Sequence, residues 1–120
     1  MDTPTAMSLA EPGIDIRRLK TGVVILMEAG PYLYEMRVMY PVHSIVEITS
    51  SDPNLRAATV GQMLHSVHWP SAGAPIPSWI GKGLVLEIRF RNGLYRTQPV
   101  TAASVQGKRE DGSRWSYEVF

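Results

Sequence analysis

Short runs of alternating apolar and polar residues, separated by turn-forming residues, constrain the fold of this chain more than any other feature. In YLYEMRVMY (32–40), every second residue from Tyr34 to Tyr40 is apolar, whereas Glu35 and Arg37 fall on the opposite face. Alternation with a period of two is typical of a β-strand with one buried face. The run therefore predicts a strand that contributes half of its side chains to a core.

Similar runs fill the chain from residue 14 onward, and Gly, Pro, Asn, Asp and Ser residues separate them. They are GVVILMEA (22–29), HSIVEITS (43–50), LVLEIRFR (84–91), LYRTQPV (94–100), AASVQGKRE (102–110) and RWSYEVF (114–120). TVGQMLHSVHW (59–69) has an apolar stripe at helical spacing, but its β-branched residues and Gly61 favour a strand. The sequence predicts an all-β fold, a small antiparallel β-barrel or sandwich of about seven short, hairpin-connected strands.

Length and composition limit the domain organisation and the protein class. A chain of 120 residues suits one domain, and 44% hydrophobic residues exclude wholesale disorder. Residues 1–13 contain two prolines and a glycine without periodicity, so we predict a flexible tail there and a single β domain over residues 14–120. No secretory signal and no apolar run approaching about 20 residues is present, so we expect a cytoplasmic protein without a membrane association.

The net charge of +1 gives no general support for nucleic-acid or membrane binding, which would have to rest on a local basic patch. The chain has no cysteine, which excludes disulfides, thiolate metal sites and cysteine nucleophiles. His65 and His68 are three residues apart and point to opposite faces of a strand, and His43 stands alone, so no metal site is predicted.

No motif for catalysis or for a cofactor is present. The chain lacks a nucleophile elbow, and Gly81-Lys82-Gly83 lacks the upstream glycine and the Ser or Thr of a phosphate-binding loop. Glutamates occupy outward strand positions, and two of them could meet across strands, but the sequence does not show which. They are Glu28, Glu35, Glu47, Glu87 and Glu118. We therefore predict no catalytic residue, no metal and no cofactor.

The hairpin RFRNGLYRT (89–97) is a candidate binding surface. A two-residue turn at Asn92-Gly93 is the strongest short hairpin signal and sets the register of the two strands. The predicted pairs are Arg91 with Leu94, Phe90 with Tyr95, Arg89 with Arg96, and Ile88 with Thr97. Arg89, Arg91 and Arg96 then point outward, whereas the two aromatic side chains point inward. Arg89 opposite Arg96 is a mildly destabilising like-charge pair.

Trp69 and Trp79 form a second candidate site, because they bracket the proline-rich loop PSAGAPIPS (70–78). Rigid aromatic walls and a stiff loop are typical of a groove for a ligand or a partner. The same two rings could instead hold a long loop onto the end of the β domain.

We favour a non-enzymatic interaction module that binds a protein partner or assembles with itself. The alternative is nucleic-acid or polyanion binding through Arg89, Arg91 and Arg96, with nearby aromatic residues for stacking. An enzyme on this scaffold is supported only by scattered carboxylates and histidines.

Overall fold

The computed structural model of the protein describes residues 12–55, 58–68 and 73–120. Within these residues the chain forms eleven strands and three single-turn 3-10 helices. The strands are β1 (Gly13–Asp15), β2 (Val24–Ala29), β3 (Tyr32–Tyr40), β4 (Ile45–Ser50), β5 (Thr59–Val67), β6 (Ile76–Pro77), β7 (Trp79–Gly81), β8 (Val85–Phe90), β9 (Gly93–Arg96), β10 (Val100–Lys108) and β11 (Arg114–Glu118). The 3-10 turns are Ile16–Arg18, Pro41–His43 and Pro53–Leu55. The all-β prediction is confirmed, and TVGQMLHSV is a strand, as predicted.

One long antiparallel sheet contains most of these strands, in the order β11-β10-β2-β3-β4-β5-β8-β9, with β6 also pairing with β5. Strands β1 and β7 form a separate antiparallel pair. Strands β2 to β5 follow chain order, as hairpin-connected strands do. Among the strands that the structure describes, the pairing order does not return to its first strand, and no closed barrel is formed.

The core lies on one face of the long sheet, and strand alternation determines which side chains enter it. Ile25, Met36, Val38 and Ile48 are fully buried there, whereas the residues between them face outward. Tyr40 was predicted on the buried face with Tyr34, Met36 and Val38, and this is wrong, because Tyr40 is 63% exposed. The register shifts between Val38 and Tyr40, and such a bulge turns the following side chain to the other face.

The start of the described chain packs on the tryptophan of β7. Gly13 lies opposite Gly81 in the β1–β7 pair, and a Cβ atom at Gly13 would come within 2.1 Å of the Trp79 ring. The indole therefore lies against the β1 backbone, which requires glycine at this position. Residues 1–11 of the predicted tail (1–13) lie outside the described residues.

Helices contribute little to the described part of the chain. Its only helical segments are the three 3-10 turns of three residues each, and none has the length and apolar character needed to cross a membrane.

Candidate functional site: an acidic groove with an apolar floor

The arginine hairpin has a different register from the predicted one. Its turn residues are Arg91 and Asn92, because Phe90 pairs with Gly93. Glu87 therefore lies opposite Arg96, and the predicted Arg89–Arg96 pair is wrong. The remaining pairs are Ile88 with Tyr95 and Arg89 with Leu94. A favourable ion pair replaces a like-charge pair, which is the physical advantage of the observed register.

Two of the three arginines interact with other residues that the structure describes. The Arg96 Nε atom donates to the Glu87 Oε2 atom at 2.8 Å, and the Glu87 Oε1 atom lies 2.6 Å from the His65 Nε2 atom. The Arg89 guanidinium donates to the Gln62 side-chain oxygen at 2.5 Å. Arg91 is exposed at the turn. The hairpin thus presents its arginines outward, as predicted, but uses Arg89 and Arg96 to hold neighbouring strands together.

The predicted pair of tryptophans is described only in part. Trp79 is half-buried, and its ring lies close to the backbone of both Gly13 and Gly81. Trp69 and residues 70–72 of the loop lie outside the described residues. The position of Trp79 fits the anchoring interpretation, because the ring packs against the protein's own strand β1.

We expect Glu87 to make the stability of the fold dependent on pH. Hydrogen bonds from Arg96 and from His65 hold the pKa of Glu87 below its usual value. A carboxylate with a lowered pKa stabilises the fold above its unfolded pKa of about 4.3, and this contribution is lost as pH falls through the folded pKa. We expect Glu87→Gln to lower the thermal unfolding midpoint near pH 7, with the difference from the unmodified protein shrinking below about pH 4.

Thermal unfolding followed by circular dichroism between about pH 7 and pH 3 measures this effect. Glu110→Gln is the matched control, because it neutralises an exposed glutamate at a turn. A midpoint difference between Glu87→Gln and the unmodified protein that is the same at every pH would contradict the expectation.

A groove of about 640 Å³ lies on the outer face of the sheet, across β11, β10, β2, β3 and β4. Its volume is within the range of about 300–1,000 Å³ that is typical of ligand pockets in proteins. Three glutamates line it together with apolar side chains. The glutamates are Glu28, Glu35 and Glu118, and the largest apolar side chains other than those of the core are Leu26, Leu33 and Phe120. This groove is the candidate site.

Strand register brings the acidic and apolar side chains together. Leu26 lies opposite Glu35, and Glu28 lies opposite Leu33, so the two side-chain types alternate across the β2–β3 pair. Ser104 of β10 lies opposite both Leu26 and Glu118, which places Glu118 in the same transverse row. Leu33 is 60% exposed and Leu26 is 36% exposed. The sheet thus displays an unusual outward apolar surface between carboxylates.

The three groove carboxylates form no ion pair with any residue that the structure describes. Arg37, two positions after Glu35 on the same strand face, is already paired with Glu47. Charges of one sign beside a low-dielectric surface produce a local potential that attracts counter-charges. The groove therefore has a net negative potential, although the whole chain has a net charge of +1.

A hydrogen-bonded chain of side chains lies beneath the groove. The hydroxyls of Tyr34 and Tyr95 are 2.6 Å apart, and the Tyr95 hydroxyl donates to the buried Asp52 carboxylate. Burial raises the pKa of both tyrosines, and Asp52 raises that of Tyr95 further, so both hydroxyls stay protonated at neutral pH. The chain links β3, β9 and the turn after β4. Tyr34 also lines the groove, so this network fixes part of its wall.

Sequence reasoning identified the outward glutamates but did not group Glu28, Glu35 and Glu118. The hydropathy pattern places each on an outer strand face, whereas their proximity depends on the strand order β11-β10-β2-β3. The only signal that points to the groove is the pair of outward leucines, Leu26 and Leu33, at strand positions where polar residues are usual.

The described part of the chain contains no group of side chains that could bind a metal ion. No three His, Asp or Glu side chains there are grouped so that they could hold a metal ion.

A comparison of the chain with family models, with curated proteins and with solved structures finds no match.

Proposed function

We propose that the protein is a non-enzymatic binding module whose outer groove takes an extended, cationic and partly apolar segment of a partner protein. The observation that carries this proposal is the set of three carboxylates that have no ion partner among the described residues and surround two exposed leucines. Lysine or arginine side chains would pair with Glu28, Glu35 and Glu118, and aliphatic groups would cover Leu26 and Leu33.

Apolar contacts with the leucines and ion pairs with the glutamates would contribute different free energies to binding, so they would have different roles. Full burial of a leucine side chain is worth about 1.5–3 kcal/mol relative to exposure. An exposed ion pair is worth about 0.2–1 kcal/mol. The apolar floor would therefore supply much of the affinity, whereas the glutamates would select cationic partners and accelerate encounter.

The finer architecture that we propose is a barrel-like sheet, and backbone contacts support it. The Gly83 amide donates to the Val100 carbonyl at 2.7 Å, and the Val100 amide donates to the Leu84 carbonyl at 2.9 Å. These bonds connect the residues before β8 with the first residue of β10. A curled sheet of this kind holds the groove strands in a fixed relative position, as a binding surface requires.

Polyanion binding through Arg89, Arg91 and Arg96 has less support. A phosphate would have to compete with Glu87 for Arg96 and with Gln62 for Arg89. The small net charge also provides little general attraction for a polyanion.

A peptide titration tests the proposed groove function. The probe is the acetylated and amidated hexapeptide Lys-Lys-Leu-Leu-Lys-Lys, which presents lysine and leucine on the same face when it is extended, added to ¹⁵N-labelled protein. We expect amide chemical-shift changes to cluster on β2, β3, β10 and β11. Removing the carboxylate charges in Glu28→Gln/Glu35→Gln/Glu118→Gln is expected to weaken binding about tenfold, since it removes three weak ion pairs.

The matched control for this titration is Glu110→Gln, which removes a carboxylate outside the groove and should leave the affinity unchanged. Shift changes that cluster on another surface, or an unchanged affinity in the triple variant, would show that the groove is not the binding site.

A further inference from the structure

The charge distribution points to a second copy of this chain as an occupant of the groove. We propose that the β8–β9 hairpin of one copy docks in the groove of another. This inference rests on the proposed binding role of the groove and names a partner for it.

The tip of the hairpin presents the chemistry that the groove lacks. Arg91 is exposed at the turn, Arg89 is exposed on the outer strand face, and Leu94 lies directly opposite Arg89 with 58% of its surface exposed. The Arg89 guanidinium has donors besides the one that it gives to Gln62, so it and Arg91 can both pair with carboxylates that lie beside exposed leucines. Arginine is suited to this role, since its planar group pairs with a carboxylate through two hydrogen bonds.

The contact has to be intermolecular in the arrangement that the structure shows. No residue of β8 or β9 lines the groove, and Tyr95 of β9 meets the Tyr34 side chain on the buried face of the sheet, away from the outer groove. The contact that we propose is one-way, so the copy that donates its hairpin keeps its own groove open for a third copy. Such head-to-tail contacts build open chains or rings rather than symmetric dimers.

The low net charge of +1 is compatible with self-docking, because copies of the protein do not repel each other strongly overall. Opposite charges located on separate surfaces then favour association that weakens with added salt, since salt screens exposed charges.

Sedimentation velocity on the unmodified protein and three variants tests the proposal. The unmodified protein should form species that grow with concentration and dissociate at high salt. At concentrations where about a tenfold loss of affinity abolishes assembly, a groove variant, Glu28→Gln/Glu35→Gln/Glu118→Gln, and a hairpin variant, Arg89→Gln/Arg91→Gln, should each be monomeric alone. An equimolar mixture of the two variants should give a 1:1 dimer and nothing larger, because only one intact groove and one intact hairpin can meet. Lys20→Gln/Lys82→Gln removes two other exposed cations and should assemble like the unmodified protein.

A strict monomer for the unmodified protein up to about 1 mM would overturn the proposal. Assembly that persists in both variants, or a mixture of them that stays monomeric while the unmodified protein assembles, would overturn it too. Binding of the lysine–leucine peptide separates the two levels of inference. A monomer that binds the peptide in the groove retains the proposed function and loses only self-docking, whereas a monomer that does not bind the peptide loses both.

Discussion

Truncation of Ile48 to alanine is expected to lower the free energy of unfolding by about 2–5 kcal/mol. Ile48 lies in β4, pairs with Met36 of β3 and Thr59 of β5, and has no exposed surface. Removing its outer carbon atoms forfeits buried apolar contact and leaves a cavity between three strands that cannot all move inward. The cost of a cavity depends on how far its walls relax, and a paired central strand relaxes little.

Urea unfolding followed by circular dichroism measures this loss, and Leu33→Ala is its matched control. Leu33 is 60% exposed on the outer face of β3. We expect its truncation to change stability by about 0.5 kcal/mol or less, while weakening binding of the peptide to the groove. A loss below about 1 kcal/mol for Ile48→Ala would contradict its place in the core.

Alternation predicted the strand faces well, and it failed where a bulge intervenes. Tyr34, Met36 and Val38 are buried, as predicted, because side chains of a regular strand alternate strictly. Tyr40 is exposed because the register shifts after Val38. A bulge depends on the partner strand and the following turn, and the residues of β3 alone contain no clear signal for it.

The hairpin shows why sequence predicts faces more reliably than register. Moving the turn from Asn92-Gly93 to Arg91-Asn92 shifts every cross-strand pair by two positions and leaves every face unchanged. The hydrophobic pattern is therefore the same for both registers. The observed register gains the contact between Glu87 and Arg96, and this energy depends on the relation between two strands.

The groove could not be predicted from the sequence, because its residues are brought together by pairing between distant strands. Glu28 and Glu35 belong to neighbouring hairpin strands, whereas Glu118 comes from the far end of the chain. It reaches them only because β10 pairs with β2 on one side and with β11 on the other. Such long-range pairing depends on the packing of the whole core, so local patterns do not predict it.

Reversing the charges of the groove is expected to reverse its preference among ligands. In the variant Glu28→Lys/Glu35→Lys/Glu118→Lys, the apolar floor of Leu26 and Leu33 is unchanged. Apolar contacts should therefore support binding both of the lysine–leucine peptide and of a peptide with glutamate in place of lysine. Each ion pair contributes about 0.2–1 kcal/mol, and each like-charge contact costs a similar amount. Summed over three positions, these energies should lower the affinity for the lysine peptide by about tenfold or more and raise the affinity for the glutamate peptide by a similar factor.

The most direct test of the groove as a selective binding site is the ratio of two dissociation constants measured by isothermal titration calorimetry. One is for the lysine–leucine hexapeptide, and the other is for a hexapeptide with glutamate in place of lysine. The unmodified protein should bind the lysine peptide at least about tenfold more tightly, and the triple-lysine variant should prefer the glutamate peptide by a similar factor. The same ratio in both proteins would contradict a role of Glu28, Glu35 and Glu118 in ligand selection.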